Sequence, residues 1–291
     1  MRWETSVAMP MNKGIPAWVI GEFIGTFILA FFGCGSVCAA ITTGAQVGVF
    51  QVAIVWGLGI TTAIYLTASL SGAHLNPAVT ISMAAWGGFP KSRVVGYIAT
   101  QMTAAFVAAA LLHVIFGGAI REFESKNGIV RGQPGSEASA MVYGEFYPNP
   151  QGKPLKEGNP GRMSQGRAFI AEVVGTALLL LVIFGATDTR NHNRPQILTA
   201  ATIGLTITML ISLLGPLTMA CFNPARDLGP RLFSSLAGWG SVPFTANGMG
   251  WLTVYIIAPV VGGLLGGGIY RAFLRPNYES SAAPIPGEGA P

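Results

Sequence analysis

The stretch CFNPARDLGPRL, residues 221–232, places an asparagine and three charged residues in a chain that is otherwise largely apolar. An earlier stretch, SGAHLNPAVT, residues 71–80, contains the same Asn-Pro-Ala triplet without an arginine after it. Asparagine is a good helix N-cap and proline suits the first helical turn, so each triplet predicts the start of a helix. The residues of the two triplets are Asn76, Pro77, Ala78, Asn223, Pro224 and Ala225.

Composition indicates that the chain lies in a membrane. Of its 291 residues, 51% are hydrophobic and 10% are charged, whereas soluble domains carry about 25% charged residues. No acidic or basic residue lies between Glu22 and Lys91 or between Arg231 and Arg271. These runs exceed the roughly 20 residues that a transmembrane helix needs, and they lack the alternation of membrane β-strands. The sequence therefore predicts an all-α membrane protein.

The apolar pattern predicts six transmembrane helices and two shorter segments. The six predicted spans are 17–41, 47–70, 92–117, 166–187, 196–215 and 250–273. The two remaining segments, 76–87 and 223–235, each hold about 12 residues, or about 18 Å of helix, which is about half of a hydrocarbon core of roughly 30 Å. We therefore expect two re-entrant half-helices that begin at the Asn-Pro pairs and stop near the middle of the membrane.

The two halves of the chain resemble each other. The stretch GEFIGTFILAFFG, residues 21–33, is similar to AEVVGTALLLLVIFG, residues 171–185. Glu172 follows Glu22 by 150 positions, and Asn223 follows Asn76 by 147 positions. Since each half has three spans, an odd number, the second half must enter the membrane in the opposite direction. Inverted repeats of this kind place their binding site at the midplane of the membrane.

The predicted organisation has five segments. They are an N-terminal cytoplasmic segment (1–16), a first repeat (17–117), a long extracellular loop (118–165), a second repeat (166–274) and a disordered C-terminal tail (275–291). Basic residues concentrate in the short loops and tails that share a side with the N-terminus, which predicts a cytoplasmic N-terminus. We expect a multi-pass protein of the plasma (cell inner) membrane, and no nucleic-acid partner for its basic residues.

Two half-helices that meet end to end would control which solutes cross the membrane. Each N-terminus carries about half a positive charge from its helix dipole, so the pair repels cations at the membrane centre. If the side-chain oxygen of each asparagine caps its own helix, the amide NH₂ group is free to donate hydrogen bonds into a pore. Two such donors would orient a passing hydroxyl group and interrupt a continuous proton wire.

At these residues the chain resembles the major intrinsic protein (aquaporin) family, in particular its bacterial glycerol uptake facilitator (aquaglyceroporin) branch. The matching stretches include AIYLTASLSGAHLNPAVTI, YPNP and NPARDLGP, within about residues 15–275. In aquaporins, half-helix dipoles and an arginine exclude protons and cations. The resemblance implies the aquaporin fold and a homotetramer with one pore per subunit. It also implies passive diffusion of glycerol, similar small neutral solutes and some water across the lipid bilayer.

The resemblance further implies a selectivity filter, formed by Trp56, Ile211, Ala220 and Arg226. Arg226 would donate to hydroxyl groups and repel cations, and Trp56 would offer an apolar wall to a carbon skeleton. Glycerol facilitators typically have glycine at the position of Ile211 and phenylalanine at that of Ala220. The combination here is closer to the nodulin-like intrinsic proteins of plants, so a water-selective channel and a metalloid- or urea-preferring channel remain alternatives.

Polar residues near the triplets allow two interpretations. Glu22 and Glu172 could relay protons in a coupled transporter, or they could accept hydrogen bonds from re-entrant backbone that lipid cannot satisfy. We favour the second interpretation. His74 and Asp227 are interpreted as pore-lining or loop-bracing residues, with Arg231 one helical turn after Asp227 as its partner. The sequence has no metal-ligand cluster and no catalytic constellation, so we expect no enzymatic activity, no cofactor and no bound metal.

Overall fold

The computed structural model describes residues 14–155 and 163–281, and over these ranges its regular structure is helical, with no β-strand. The helices are α1 Ala17–Thr43, α2 Val49–Ser71, α3 Pro77–Trp86, α4 Lys91–Asn127, α5 Glu137–Ala140, α6 Gln165–Thr187, α7 Gln196–Thr218, α8 Pro224–Ser234, α9 Val242–Thr245 and α10 Gly250–Tyr278.

Six of these helices, α1, α2, α4, α6, α7 and α10, are long and apolar enough to cross a membrane. This finding confirms the predicted all-α membrane protein with six spans. The links between successive spans alternate between the two ends of the bundle. We name these ends the terminal side, which carries residues 14–16, 88–90 and 188–195, and the loop side, which carries residues 44–48, 128–155 and 235–249.

The half-helices α3 and α8 have 10 and 11 residues, which corresponds to about 15–17 Å of helix. Each begins directly after an asparagine in the extended conformation, with proline as its first residue. From the interior, α3 runs back to the terminal side and α8 runs on to the loop side. The two half-helices therefore point in opposite directions, as an inverted repeat requires.

Helices α2 and α7 cross at a pair of glycines, one from each repeat. A Cβ atom added to Gly57 would lie 2.6 Å from the carbonyl oxygen of Gly204, and one added to Gly204 would lie 2.4 Å from that of Gly57. Both distances are too short for a side chain, so only glycine permits this close approach of the two helices. The crossing joins the two repeats in the centre of the bundle.

Two predicted boundaries are wrong. Helix α4 extends to Asn127 instead of residue 117, and its last turn contains an ion pair between Lys126 and Glu122 at 2.6 Å. The long loop therefore begins at residue 128. Helical structure also continues through Ser281, which removes residues 275–281 from the predicted disordered tail. The remaining parts of the predicted N-terminal segment, loop and tail, residues 1–13, 156–162 and 282–291, lie outside the described residues.

The loop after α4 folds back into the loop side of the bundle. Every residue from 136 to 147 is buried. The carboxylate of Glu137, near the start of this buried segment, accepts a hydrogen bond from the backbone N–H of Leu155 at 2.7 Å. This bond ties the later part of the loop to the buried segment. The segment consequently reaches the interior, where it presents Tyr143 and Glu145 to the second half-helix.

Candidate pore and selectivity filter

The two half-helices meet through their capping asparagines. The side-chain oxygens of Asn76 and Asn223 accept hydrogen bonds from backbone N–H groups in the first turn of their own helices, at 2.8 and 3.0 Å. Asn76 Nδ2 donates to the carbonyl oxygen of Phe222 at 2.8 Å, and Asn223 Nδ2 donates to that of Leu75 at 2.9 Å. Each asparagine thus caps its own half-helix and also connects it to the other repeat.

These cross-connections change the expected number of donors in the pore. A side-chain amide has two N–H groups, and one group of each asparagine is already bonded to a carbonyl of the other repeat. The expectation of a wholly free NH₂ group is therefore corrected to one N–H for each asparagine that has no partner in the described part of the chain. Both asparagines lie in the wall of one cavity.

The carboxylates Glu22 and Glu172 support the two re-entrant loops. Glu22 accepts hydrogen bonds from the backbone N–H groups of His74 and Leu75 at 2.9 and 2.8 Å. Glu172 accepts the N–H groups at the equivalent positions of the second loop, at 3.1 and 2.8 Å. Both glutamates are fully buried. Their oxygens are thus occupied by the backbone groups that lipid would leave without partners.

The loops that these carboxylates support contain left-handed backbone conformations. The φ angles are 49° at Ala73, 53° at Leu75, 62° at Ala220 and 52° at Phe222. Residues other than glycine adopt such conformations at a cost of about 1–3 kcal/mol each, and they do so where the surrounding structure holds them. The two glutamates provide this support, and Ala73 and Ala220 occupy matching places in the two loops.

Two cavities meet at the predicted filter. One has a volume of about 470 Å³ and extends from the filter past both asparagines to the terminal side. The other has a volume of about 490 Å³ and lies on the loop side. Trp56, Ile211 and Arg226 line both cavities, and Ala220 lines the first. A solute that passes from one cavity to the other must therefore pass these side chains.

Arg226 is held in place by the buried loop after α4. Its Nε forms an ion pair with Glu145 Oε1 at 2.8 Å, and its Nη1 donates to the carbonyl oxygen of Tyr143 at 2.8 Å. The guanidinium carbon lies 4.6 Å from the centre of the Trp56 ring, within the range of a cation–π contact. Nη2 has no protein partner among the described residues, so it can donate to a passing hydroxyl group.

Glu145 places a carboxyl group beside the filter arginine. Its side chain is 2% exposed, and its second oxygen, Oε2, has no partner within the described part of the chain. Burial raises the pKa of Glu145 to about 7, and the guanidinium of Arg226 opposes that rise. When Glu145 is ionised it neutralises Arg226, so repulsion of cations then depends on the half-helix dipoles as well.

Trp56 occupies a space that a glycine of α1 provides. A Cβ atom added to Gly33 would lie 2.2 Å from the Trp56 ring atoms Cη2 and Cζ3, and such a distance is impossible without movement of the ring. Gly33 therefore decides how far the indole can retreat from the solute path. The ring is also in contact with the guanidinium of Arg226.

We expect Gly33→Ala to reduce glycerol permeability by about tenfold, which corresponds to about 1.4 kcal/mol. The added methyl group would push the Trp56 ring towards Arg226, and overpacking of this kind costs about 1–3 kcal/mol. Glycerol-driven swelling of proteoliposomes measures the effect. Gly35→Ala is the matched control, because its added Cβ meets only the end of the Leu112 side chain, at 3.2 Å. Equal permeabilities of the two variants would contradict this role of Gly33.

Asp227 and Arg231 form a buried ion pair on α8. Arg231 Nε donates to Asp227 Oδ2 and Nη2 donates to Oδ1, both at 2.8 Å. Asp227 Oδ1 also accepts the backbone N–H of Glu145 at 2.7 Å. Arg231 makes two further hydrogen bonds, to the carbonyl oxygens of Glu145 and Pro243. The pair therefore connects α8 to the buried loop that holds the filter arginine.

His74 packs against two aromatic side chains beside the first loop. Its ring lies 4.7 Å from the centre of Phe89 and 5.1 Å from that of Tyr97. Its Nδ1 lies 3.3 Å from Thr80 Oγ1. His74 also contributes to the wall of the cavity on the terminal side, so its role as a pore-lining or loop-bracing residue stays a prediction.

Sequence reasoning did not identify two residues of the filter region, Glu145 and Gly33. Glu145 stands two positions before the YPNP stretch, and this position beside a matching stretch is the sequence feature that could have identified it. Gly33 ends the stretch that repeats in the second half, where the matching residue is Ile183. Neither pattern shows that Glu145 reaches Arg226 or that Gly33 faces Trp56, because both contacts join elements that are distant in sequence.

Comparison with known families gives a match over most of the chain. The model of the major intrinsic protein family matches residues 13–270. The chain is 42% identical over 270 residues to the glycerol uptake facilitator protein of Pseudomonas aeruginosa, with 92% of each chain covered. It is 37% identical over 276 residues to the propanediol uptake facilitator of Citrobacter freundii, with 94% of this chain and 98% of that protein covered.

A solved structure has the same arrangement of helices. The aquaglyceroporin from Plasmodium falciparum superposes with a TM-score of 0.75 at 30% sequence identity. The match covers 91% of this chain and 98% of that structure. The residues matched by the family model, 13–270, include both repeats.

Proposed function

The chain belongs to the major intrinsic protein family, a family of membrane channels, and on that premise we propose that it conducts glycerol and similar small uncharged solutes passively. Some water passes with them, and ions and protons are excluded. The proposal agrees with the names of the related proteins from Pseudomonas aeruginosa and Citrobacter freundii. It assigns no chemical reaction and no cofactor to the chain.

One observation carries the proposal: the boundary between the two cavities has one apolar wall and one donor. Trp56 provides the wall, and Nη2 of Arg226 provides N–H groups without a protein partner among the described residues. Glycerol presents a carbon skeleton on one side and hydroxyl groups on the other. Such a solute can contact the ring and accept hydrogen bonds from the guanidinium at the same time.

The asparagine pair would act at the next stage of permeation. Asn76 and Asn223 each retain one free N–H group, and the dipoles of α3 and α8 place partial positive charge beside them. A hydroxyl oxygen that accepts from both asparagines must direct its own hydrogen outwards, which interrupts proton transfer along a chain of hydroxyls. We assign exclusion of protons and cations to this pair together with Arg226.

The structure favours a channel over a proton-coupled transporter. A relay carboxylate needs an oxygen that can exchange protons with the solute path. The oxygens of Glu22 and Glu172 instead accept backbone hydrogen bonds of the re-entrant loops, four in total. With their oxygens occupied in this way, the two glutamates are not available to relay protons, as coupled transport would require.

The cellular setting follows from charge and from family resemblance. Among the described residues of the short links and ends, Lys91, Arg93, Arg190, Arg194 and Arg271 lie on the terminal side, whereas on the loop side the short loop 44–48 has no basic residue and the longer loop 128–155 carries Arg131 and Lys153. By the positive-inside rule the terminal side faces the cytoplasm. We propose a multi-pass protein of the plasma membrane with a cytoplasmic N-terminus, assembled as a homotetramer like other members of its family.

Stopped-flow light scattering of proteoliposomes tests the proposed function. We expect a glycerol gradient to produce swelling well above that of empty liposomes and independent of any pH gradient. A sucrose gradient in the same preparation measures water. Glycerol entry no faster than in empty liposomes would refute the proposal, and accumulation of glycerol against its gradient under a pH gradient would establish a coupled transporter instead.

A further inference from the structure

The inverted repeat gives every filter residue a counterpart on the terminal side of the asparagines. The 147 positions that separate Asn76 from Asn223 also separate Ile64 from Ile211, Ala73 from Ala220 and Val79 from Arg226. Ile203 lies 147 positions after Trp56 and is its counterpart. The filter therefore has four counterparts, which we name the aliphatic ring: Ile64, Ala73, Val79 and Ile203.

Hydrogen bonds show that this numbering interval is a true structural equivalence. Thr61 Oγ1 donates to the carbonyl oxygen of Ala200 at 3.4 Å, and Thr208 Oγ1 donates to that of Ala53 at 3.2 Å. Donors and acceptors of the two bonds are related by the same interval of 147 positions. Helix α2 carries Trp56 and Ile64, and α7 carries Ile203 and Ile211, so the contact between these two helices is itself symmetric between the repeats.

All four members of the aliphatic ring line the cavity that extends from the filter to the terminal side. Two members repeat the filter closely, because isoleucine matches isoleucine and alanine matches alanine. The other two differ in chemistry. Val79 replaces the guanidinium of Arg226 by two methyl groups, and Ile203 replaces the indole of Trp56 by an aliphatic side chain.

The two repeats also differ in the residues that lie next to Trp56 and next to its counterpart Ile203. Gly33 leaves room for the Trp56 ring, whereas the position equivalent to Gly33 in α6 is Ile183, which lines the same cavity as Ile203. His74, next to Ala73 in the loop, lines this cavity too, with its ring against those of Phe89 and Tyr97, and it is not a member of the aliphatic ring. The side chains of the aliphatic ring therefore offer a solute neither donors nor acceptors.

We propose that the aliphatic ring is a second selectivity element, which favours small solutes with a carbon skeleton over water. The proposal rests on the proposed function, since it concerns the same pore. A water molecule beside these four side chains receives no hydrogen bond from them, and hydrophobic surfaces in channels disfavour water for this reason. A polyol loses less, because its methylene and methine groups contact the ring favourably.

The double substitution Ile64→Thr/Ile203→Thr tests the ring. Its matched control is Ile64→Val/Ile203→Val, because threonine carries a hydroxyl group in place of one methyl group of valine and so differs from it chiefly in polarity. We expect the threonine variant to conduct water about fivefold faster than the valine variant, as one added hydrogen bond of typical strength would produce. Glycerol permeability should differ between the two variants by less than about twofold, since the polyol depends less on the added group.

Water and glycerol permeabilities of the wild type and both variants are measured in proteoliposomes with equal protein content. Retained glycerol entry in the threonine variant shows that the channel has folded. Equal water permeabilities of the threonine and valine variants would overturn the inference. Absence of glycerol entry in the wild type would refute the proposed function, and the water comparison between the variants would still decide the effect of the ring.

Discussion

Replacing Arg226 with alanine will give a channel that leaks cations at alkaline pH and stays nearly tight to them at acidic pH. The substitution removes the counter-charge of Glu145, a carboxyl group whose pKa burial raises to about 7 even beside Arg226. Without Arg226 that pKa rises further, so the group is neutral at low pH and negative only above neutrality. A unit charge about 5 Å from a passing cation is worth about 3 kcal/mol at an effective dielectric constant of about 20, or about a hundredfold in conductance.

Cation flux into proteoliposomes, followed with a potential-sensitive dye across a series of pH values, measures this leak. Two further variants separate charge from size. Arg226→Ala/Glu145→Gln has the wider filter without the titrating carboxyl group, so its small leak should not change with pH. Glu145→Gln alone keeps Arg226 and should remain tight. A leak of the same pH dependence in both Arg226→Ala variants would show that Glu145 is not its source.

Replacing Asp227 with alanine will destabilise the protein by about 3–5 kcal/mol, the typical cost of removing one partner from a buried ion pair. The guanidinium of Arg231 is 2% exposed and would lose two hydrogen bonds at 2.8 Å. The backbone N–H of Glu145 would lose its acceptor as well. We expect a marked fall in the apparent melting temperature of the purified protein in detergent.

The chain contains a matched control for this experiment. Glu122 and Lys126 also form an i to i+4 ion pair, at 2.6 Å, but both side chains are more than half exposed. Exposed pairs contribute little to stability because water and salt screen them, so Glu122→Ala should leave the melting temperature unchanged. Similar melting temperatures for Asp227→Ala and Glu122→Ala would mean that burial of the Asp227 pair contributes nothing to stability.

The membrane fold was predictable because the bilayer restricts structure so strongly. In lipid only segments that satisfy their own backbone hydrogen bonds can cross, so uncharged runs of the right length identified six spans. Each half-helix was visible because Asn-Pro is a helix start and the following apolar segment is too short to span. The end of α4 was missed, because its last turns, through Asn127, are polar and extend beyond the apolar run.

The details of the filter region were less accessible to sequence reasoning. The asparagines of the two triplets and Arg226 stand out as polar residues in apolar surroundings. The internal repeat shows that the two asparagines occupy equivalent positions. The position of Glu145 depends on how a long loop folds back, and the role of Gly33 depends on the rotamer of Trp56. Both are tertiary contacts between distant segments, which composition and periodicity do not encode.

The exchange of hydrogen bonds between Asn76 and Asn223 has a consequence for how the chain is made. Synthesis from the N-terminus produces α3 long before the ribosome reaches Phe222, whose carbonyl oxygen is the partner of Asn76. Until then the Asn76 amide and the Leu75 carbonyl have no counterpart from the other repeat, in surroundings where lipid offers none. The hydrogen bonds of the first re-entrant loop are therefore complete only after the second half has been translated and has entered the membrane beside the first three spans.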